Sequence, residues 1–286
     1  MRRLFLLMIA LSILIVSCQN KQSHPGYITT DAGLNYKFYV ENEGEVPQMM
    51  EYMDVVISCT INDSLEFMPK NRMILQMIEP LFSGDIYDGI KMMHRGDSAS
   101  FIVRTDSTLY TLFQFPVLPP DLSADDIMRF EVKMNDFYPE SEFITKQIEY
   151  MKGTYKEETE KSEKELAQYF KENNINVQPT STGLYYRKIK DGNGERPLSG
   201  TMVKVHYTGK LLDGTVFDSS VDSKEPFQFV LGVGQVIFGW DEGIQLMSKG
   251  EKGILYIPYY LAYGDMQAGP IPPFSTLIFE VELIDF

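Results

Sequence analysis

Histidine and cysteine are almost missing from this chain of 286 residues, and basic residues are in deficit. It has three His, two Cys, and 26 Lys and Arg against 40 Asp and Glu, for a formal net charge of −14. His24, His94 and His206 stand too far apart for metal-ligand spacing, so no bound metal is expected. No HExxH pair, nucleophile elbow or phosphate-binding glycine loop occurs, and "LGVGQVIFG" has the wrong glycine spacing for a dinucleotide loop. Without a basic excess to neutralise phosphates, nucleic acid is not an expected partner. The one long apolar run, Leu4 to Val16 interrupted by Ser12, is short for a bilayer span.

That run follows "MRR" and precedes "IVSC", the order of a secretory signal. Its end resembles the lipobox of bacterial lipoproteins. The resemblance implies a signal peptide over 1–17, lipidation of Cys18, a polar tether over 18–33 and attachment to a membrane through the N-terminal lipid. It places the protein in the bacterial cell envelope, facing the periplasm. A plain signal peptide or an uncleaved anchor are the competing readings. Lipidation leaves Cys59 as the one thiol, without an internal disulfide partner, and its surroundings "DVVISCTI" predict burial.

Alternation in "TLIFEVELIDF" and "TMVKVHYTGKL" predicts half-buried strands, and Trp240, Ile244 and Met247 keep the spacing of one helix face that Gly250 would end. Many strands, turn glycines and a short helix describe an α+β fold with an antiparallel sheet. An internal repeat underlies it. "DGIKMMHRGDSASFIV" aligns on "EGIQLMSKGEKGILYI" without gaps, "RFEVKMNDF" aligns on "IFEVELIDF", and "LPP" at Leu118 falls opposite "IPP" at Ile271. A spacing of about 150 residues means a duplicated domain, not a solenoid. The region from Tyr52 to Tyr138 thus reads as a first copy, in a domain over 34–139, of the architecture read at the C-terminus in a second domain over 177–286.

Between them, 140–176 reads as one helical run, and Lys156 to Glu165 offers no apolar face. Fully helical, about 33 residues reach roughly 50 Å. Such a helix serves as a spacer, partly in water, or as the seam of a homodimer.

The second domain gathers aromatic residues around one carboxylate: Tyr207, Phe217, Asp218, Phe227, Trp240, Tyr263 and Phe279. Their flanking strings "VKVHYTGKLLDGTVFDSS", "PFQFVLGVGQVIFGWDEGIQLMSKGEK", "LYIPYYLAYG" and "IPPFSTLIFEVELIDF" resemble successive blocks of the FKBP-type peptidyl-prolyl cis-trans isomerases. The resemblance implies a twisted antiparallel sheet wrapped on a short helix, with a proline pocket between. It assigns Trp240 to the pocket floor and Tyr207, Phe217, Phe227, Val236, Ile237, Ile271 and Phe279 to its walls. Asp218 and the Tyr263 hydroxyl would meet the substrate amide, and the Ile237 N–H would bind a carbonyl. Asp218 as a turn residue of "FDSS" is the plainer reading. Phe274, where the family often has Asn, and a shortened loop "GDMQAGP" depart from the pattern. The departure bears on substrate preference and suggests an enlarged apolar patch.

Isomerisation of an X-Pro bond requires no cofactor and no nucleophile, only relief of a barrier of about 18 to 20 kcal/mol set by amide resonance. The implied substrates are proline-containing unfolded or exported polypeptides, and the implied role is their folding in the envelope. In the first repeat Trp240 is matched by Ile86, Tyr207 falls near Ser58 or Cys59, Tyr263 falls near Leu109, and no match for Asp218 can be named. That domain is therefore expected to be FKBP-like but degenerate, without isomerase activity. A non-catalytic holdase or assembly scaffold using both domains is the competing reading of the whole.

Overall fold

The computed structural model describes residues 24–221 and 225–286. The signal segment and Cys18 lie outside the described residues. The chain divides into two compact units, one ending at Glu140 and one beginning at Ser141.

The first unit is an antiparallel sheet of β1 (Ile28–Thr29), β2 (Asn35–Val40), β3 (Tyr52–Ile61), β4 (Leu65–Gln76), β5 (Ser98–Arg104) and β6 (Ile127–Tyr138), ordered β1-β2-β5-β6-β3-β4. Strand β3 buries Met53, Val55, Ile57, Cys59 and Ile61, every second residue, as the two-residue side-chain period requires. The short helix α1 (Ile86–Ile90) packs on that face, and α2 (Thr105–Thr111) follows β5. Asp85 caps α1 by accepting the N–H groups of Tyr87 and Asp88. The fold starts earlier than position 34: Ile28 and Thr29 pair with Tyr36 and Asn35, and the Tyr27 hydroxyl donates to Ser100. The 18–33 segment is thus not all tether, because a two-residue strand is too short to show a period.

The second unit contains α3 (Phe143–Thr154), α4 (Lys156–Glu172), β7 (Tyr185–Lys190), β8 (Met202–Leu211), β9 (Val216–Ser219), β10 (Phe227–Val230), α5 (Phe238–Gln245), β11 (Lys252–Ile257) and β12 (Leu277–Asp285). Its sheet runs β10-β8-β12-β11-β7, with β9 also paired to β8. Val203, Val205, Leu255, Ile257 and Leu277 share a core with Ile244 of α5 and with Met247, just past the helix end. Helix α5 ends at Gln245, before Gly250; that glycine, at φ +82, instead turns the chain so that its N–H donates to Leu283.

The two units share one topology. Strands β2, β5, β6 and β3 of the first occupy the places of β7, β11, β12 and β8, and β4 replaces β9 and β10 together. Registers agree residue by residue: Val132 against Ile57 recurs as Val281 against Tyr207, and Phe130 against Cys59 as Phe279 against Gly209. The fold is α+β, a duplicated antiparallel sheet packed on a short helix.

The segment 140–176 is not one free helix. Tyr155, at φ −114 and ψ 56, breaks it into helices of 12 and 17 residues, both docked within the second unit. Leu166 joins Tyr256 and Ile278 on the sheet face opposite α5, with Phe170 edge-on to Tyr256 at 4.9 Å. Thr159 and Ser162, in the stretch without an apolar face, are nonetheless buried and hydrogen-bonded to the hydroxyls of Tyr259 at 2.6 Å and Thr276 at 2.9 Å. Hydropathy misses such a face because hydroxyls, not apolar groups, make it.

Candidate functional site

The local fold delivers the expected site residues from separate elements. Tyr207 comes from β8, Phe217 and Asp218 from β9, Phe227 from β10, and Phe279 from β12. Val236 and Ile237 immediately precede α5, and Trp240 lies in its first turn. Tyr263 follows the 3-10 turn Tyr259–Leu261, and Ile271 lies in the next loop. All ten line one cavity of about 390 Å³, joined by Gln235, Ala268 and Pro270. A separate cleft of about 310 Å³ lies against α4 with Glu158, Lys161 and Glu165 on its wall, and shares no residue with this one.

Two sets of glycines let the cavity exist. A Cβ on Gly209 would lie 2.5 Å from the Phe217 ring and 2.8 Å from that of Phe279, so the two rings meet over β8 only because the side chain is missing. On α5, Cβ atoms at Gly239 and Gly243 would fall 2.4 Å from Ile257 and 2.6 Å from Leu255, which allows the helix to lie directly on β11. Gly89 repeats that approach against Phe101 in the first unit. The glycine shared by the two repeats is therefore a packing residue.

Aromatic rings enclose the cavity edge to face. The Trp240 centroid lies 5.0 Å from Tyr207, 5.1 Å from Phe279 and 6.0 Å from Phe227, each at a steep angle. Such pairs are favoured by the ring quadrupoles. Trp240 is 4% exposed, whereas Phe227 at 40% and Tyr263 at 37% stand at the mouth. One polar pair interrupts this surface: the Tyr207 hydroxyl donates to Asp218 Oδ2 at 2.5 Å. Burial, then the accepting carboxylate, pushes the Tyr207 phenol well above its ordinary range, so it stays a donor. Ile237 caps α5 in extended conformation, and among the described residues its N–H meets no acceptor, as befits a helix start.

Sequence reasoning missed the residues that hold the walls. Asp241, one residue past Trp240, accepts the N–H groups of Gly232 at 2.6 Å and Gly234 at 3.0 Å, fixing the loop that carries Val236 and Ile237. From sequence, an acid in the first helical turn reads as an ordinary dipole partner. Ser220 accepts the Tyr207 N–H at 2.9 Å and Tyr207 accepts that of Ser220 at 3.0 Å, tying the turn after β9 to β8.

Phe274 does not enlarge the cavity. Its ring lies 5.1 Å from Tyr155 and 5.4 Å from Tyr259, and it is not on the cavity lining. Its φ is +59, a conformation open to Asn and costly for a bulky side chain. Its ring packs on Tyr155, at the break between α3 and α4.

Matched by register, the first unit replaces the site with aliphatic packing. Tyr207 corresponds to Ile57, one residue before the expected position, because Ile57 pairs with Val132 as Tyr207 pairs with Val281. Asp218, opposite Gly209, corresponds to Met68, opposite Cys59. Cys59 occupies the Gly209 position and is 1% exposed, its thiol pushed up to about 12 by burial. Ile86 stands for Trp240 and is likewise buried.

The sequence profile of the FKBP-type peptidyl-prolyl cis-trans isomerases matches residues 193–284. The FKBP-type 22 kDa peptidyl-prolyl cis-trans isomerase of Escherichia coli (strain K12) is 54% identical over 110 residues, 38% of this chain and 52% of that protein. FkpA of Aeromonas hydrophila is 52% identical over 108 residues and matched over 40% of its length, so the chain spans about half or less of these two relatives. The crystal structure of FkpA from Escherichia coli superposes with a TM-score of 0.41 at 40% identity, covering 48% of this chain and 62% of that one. The FK506-binding protein of Neisseria meningitidis serogroup B is 50% identical over 103 residues, which take up 36% of this chain and 94% of that protein. With half the residues shared across nearly the whole of that relative, and an aromatic cavity built from those blocks, the chain belongs to the FKBP-type peptidyl-prolyl cis-trans isomerase family.

Proposed function

We propose that the second unit catalyses cis–trans isomerisation of X-Pro bonds in exported polypeptides, and that the protein does so at the bacterial cell envelope, tethered through Cys18. The observation that carries the catalytic reading is the aromatic cavity, with its one carboxylate and, on its lining, Ile237, whose N–H is uncommitted among the described residues. A planar amide is more polar than a twisted one, so an apolar enclosure raises the ground state more than the transition state. Proline held on Trp240 while the preceding residue turns adds an orientational gain. In this reading the Ile237 N–H takes a substrate carbonyl, while Asp218 and the Tyr263 hydroxyl face the amide. Lowering the barrier by about 7 kcal/mol corresponds to roughly 10⁵-fold in rate. The envelope location rests on the sequence of residues 1–18.

The test is a proline-peptide isomerisation assay on the mature chain. Trp240→Ala should lower kcat/KM by about 100-fold and Asp218→Val by about tenfold, each loss being a few kcal/mol or less of transition-state binding. A wild-type rate equal to that of the double variant leaves only binding. For the first unit, the register-matched Ile57, Met68 and Ile86 favour a non-catalytic role in holding clients or in assembly.

A further inference from the structure

One wall of the cavity is a loop, and that loop is held by residues outside the matched family region. Its base is closed by the Phe274 N–H donating to Gly264 at 2.9 Å, and Ala268 and Ile271 exchange two backbone bonds of 3.0 Å at its tip. Ala268, Pro270 and Ile271 face the cavity, as does Tyr263 at the loop's entry. Between base and tip, the helical pair supplies the support. The Tyr155 hydroxyl, at the break between α3 and α4, donates to Asp265 Oδ2 at 2.5 Å, and its ring meets the edge of Phe274. The Met151 methyl, one turn earlier, lies so near Gly264 that a Cβ there would come within 2.9 Å of it. One junction residue therefore touches both limbs of the loop.

We propose that Tyr155 is a positioning residue for the proline pocket, holding the 264–274 loop in its binding conformation through Asp265 and Phe274. The proposal rests on the isomerase reading of the cavity. A phenol donating to a carboxylate is a charge-assisted bond. The Asp265 carboxylate, and then burial, pushes the Tyr155 phenol up to about 12, so the donor persists at ordinary pH. Freed of this bond, the loop spends part of its time away from the pocket. Apparent affinity falls by the fraction lost, whereas the chemistry of a bound substrate does not change.

The experiment compares the mature chain with Tyr155→Phe, Asp265→Asn and the double variant, measuring KM and kcat separately together with amide hydrogen exchange at Ala268, Ile271 and Phe274. Each single variant should raise KM about three- to tenfold, the scale of one such bond, with kcat within about twofold. The double variant should be no worse than either single one, and exchange should quicken at the loop amides while the thermal midpoint holds. Unchanged KM and exchange in Tyr155→Phe overturn the proposal. So does a fall in kcat at constant KM, additive losses in the double variant, or a loss that tracks the thermal midpoint. If the wild-type chain shows no turnover, the isomerase reading fails. Loop exchange and the peptide affinity read from Trp240 emission then decide the role of Tyr155 without it.

Discussion

Gly209 and Cys59 hold the same register position in the two units, and the difference between a hydrogen and a thiol separates an open cavity from a filled one. Where Gly209 leaves room, Phe217 and Phe279 converge at a 5.5 Å centroid distance; where Cys59 stands, the side chain itself is core. Gly209→Ala should therefore lower kcat/KM at least tenfold, because displaced walls misplace the substrate by a sizeable fraction of an ångström. The same change should cost about 1 to 3 kcal/mol in the second unit by overpacking. Assay and Trp240 emission in urea check both, and an Ala variant of full activity would mean the rings have slack that the distances deny. The aromatic members of the site were legible in the sequence because their flanking blocks are dense and ordered. Gly209 and Asp241 were not, since their contribution is space and backbone hydrogen bonds that no one-dimensional pattern records.

Helix α4 illustrates the same limit for an element. Its buried face is made by Thr159, Ser162 and Leu166, and the two hydroxyls find partners on Tyr259 and Thr276. Thr159 also donates to the Tyr155 carbonyl at 2.7 Å, so the Tyr259 hydroxyl, fully buried, donates in turn to Thr159. Thr159→Val leaves that hydroxyl without its acceptor and should destabilise the second unit by about 1 to 3 kcal/mol. Adding Tyr259→Phe removes the orphaned group and should restore part of the loss. Urea unfolding followed by the emission of Trp240, the one tryptophan in the chain, reads that unit alone. Equal destabilisation by the single and double changes would argue that the hydroxyl pair is solvated after all.

At the scale of the molecule, the second unit begins at Ser141, not near 177, because α3 and α4 complete it. A fragment 177–286 would bare Tyr256 and Ile278, which Leu166 and Phe170 cover. It should unfold at lower urea and aggregate sooner than a fragment 141–286, with a higher KM; equal stability would show that the helices are ornament. The duplication itself was determined by the sequence: shared strings in the same order at offsets close to 150 require a shared fold, and alternation every two residues fixes which side of each strand is buried. The family resemblance came from the same local strings. What only the tertiary structure decided were relations between distant segments: the residue of the first unit that stands where Asp218 does, the docking of a polar helix on a sheet, and the reach of Tyr155 to a loop more than a hundred positions away. Periodicity reports whether a residue is buried. It is silent on what the residue is buried against, and that second fact makes one copy a pocket and the other a core.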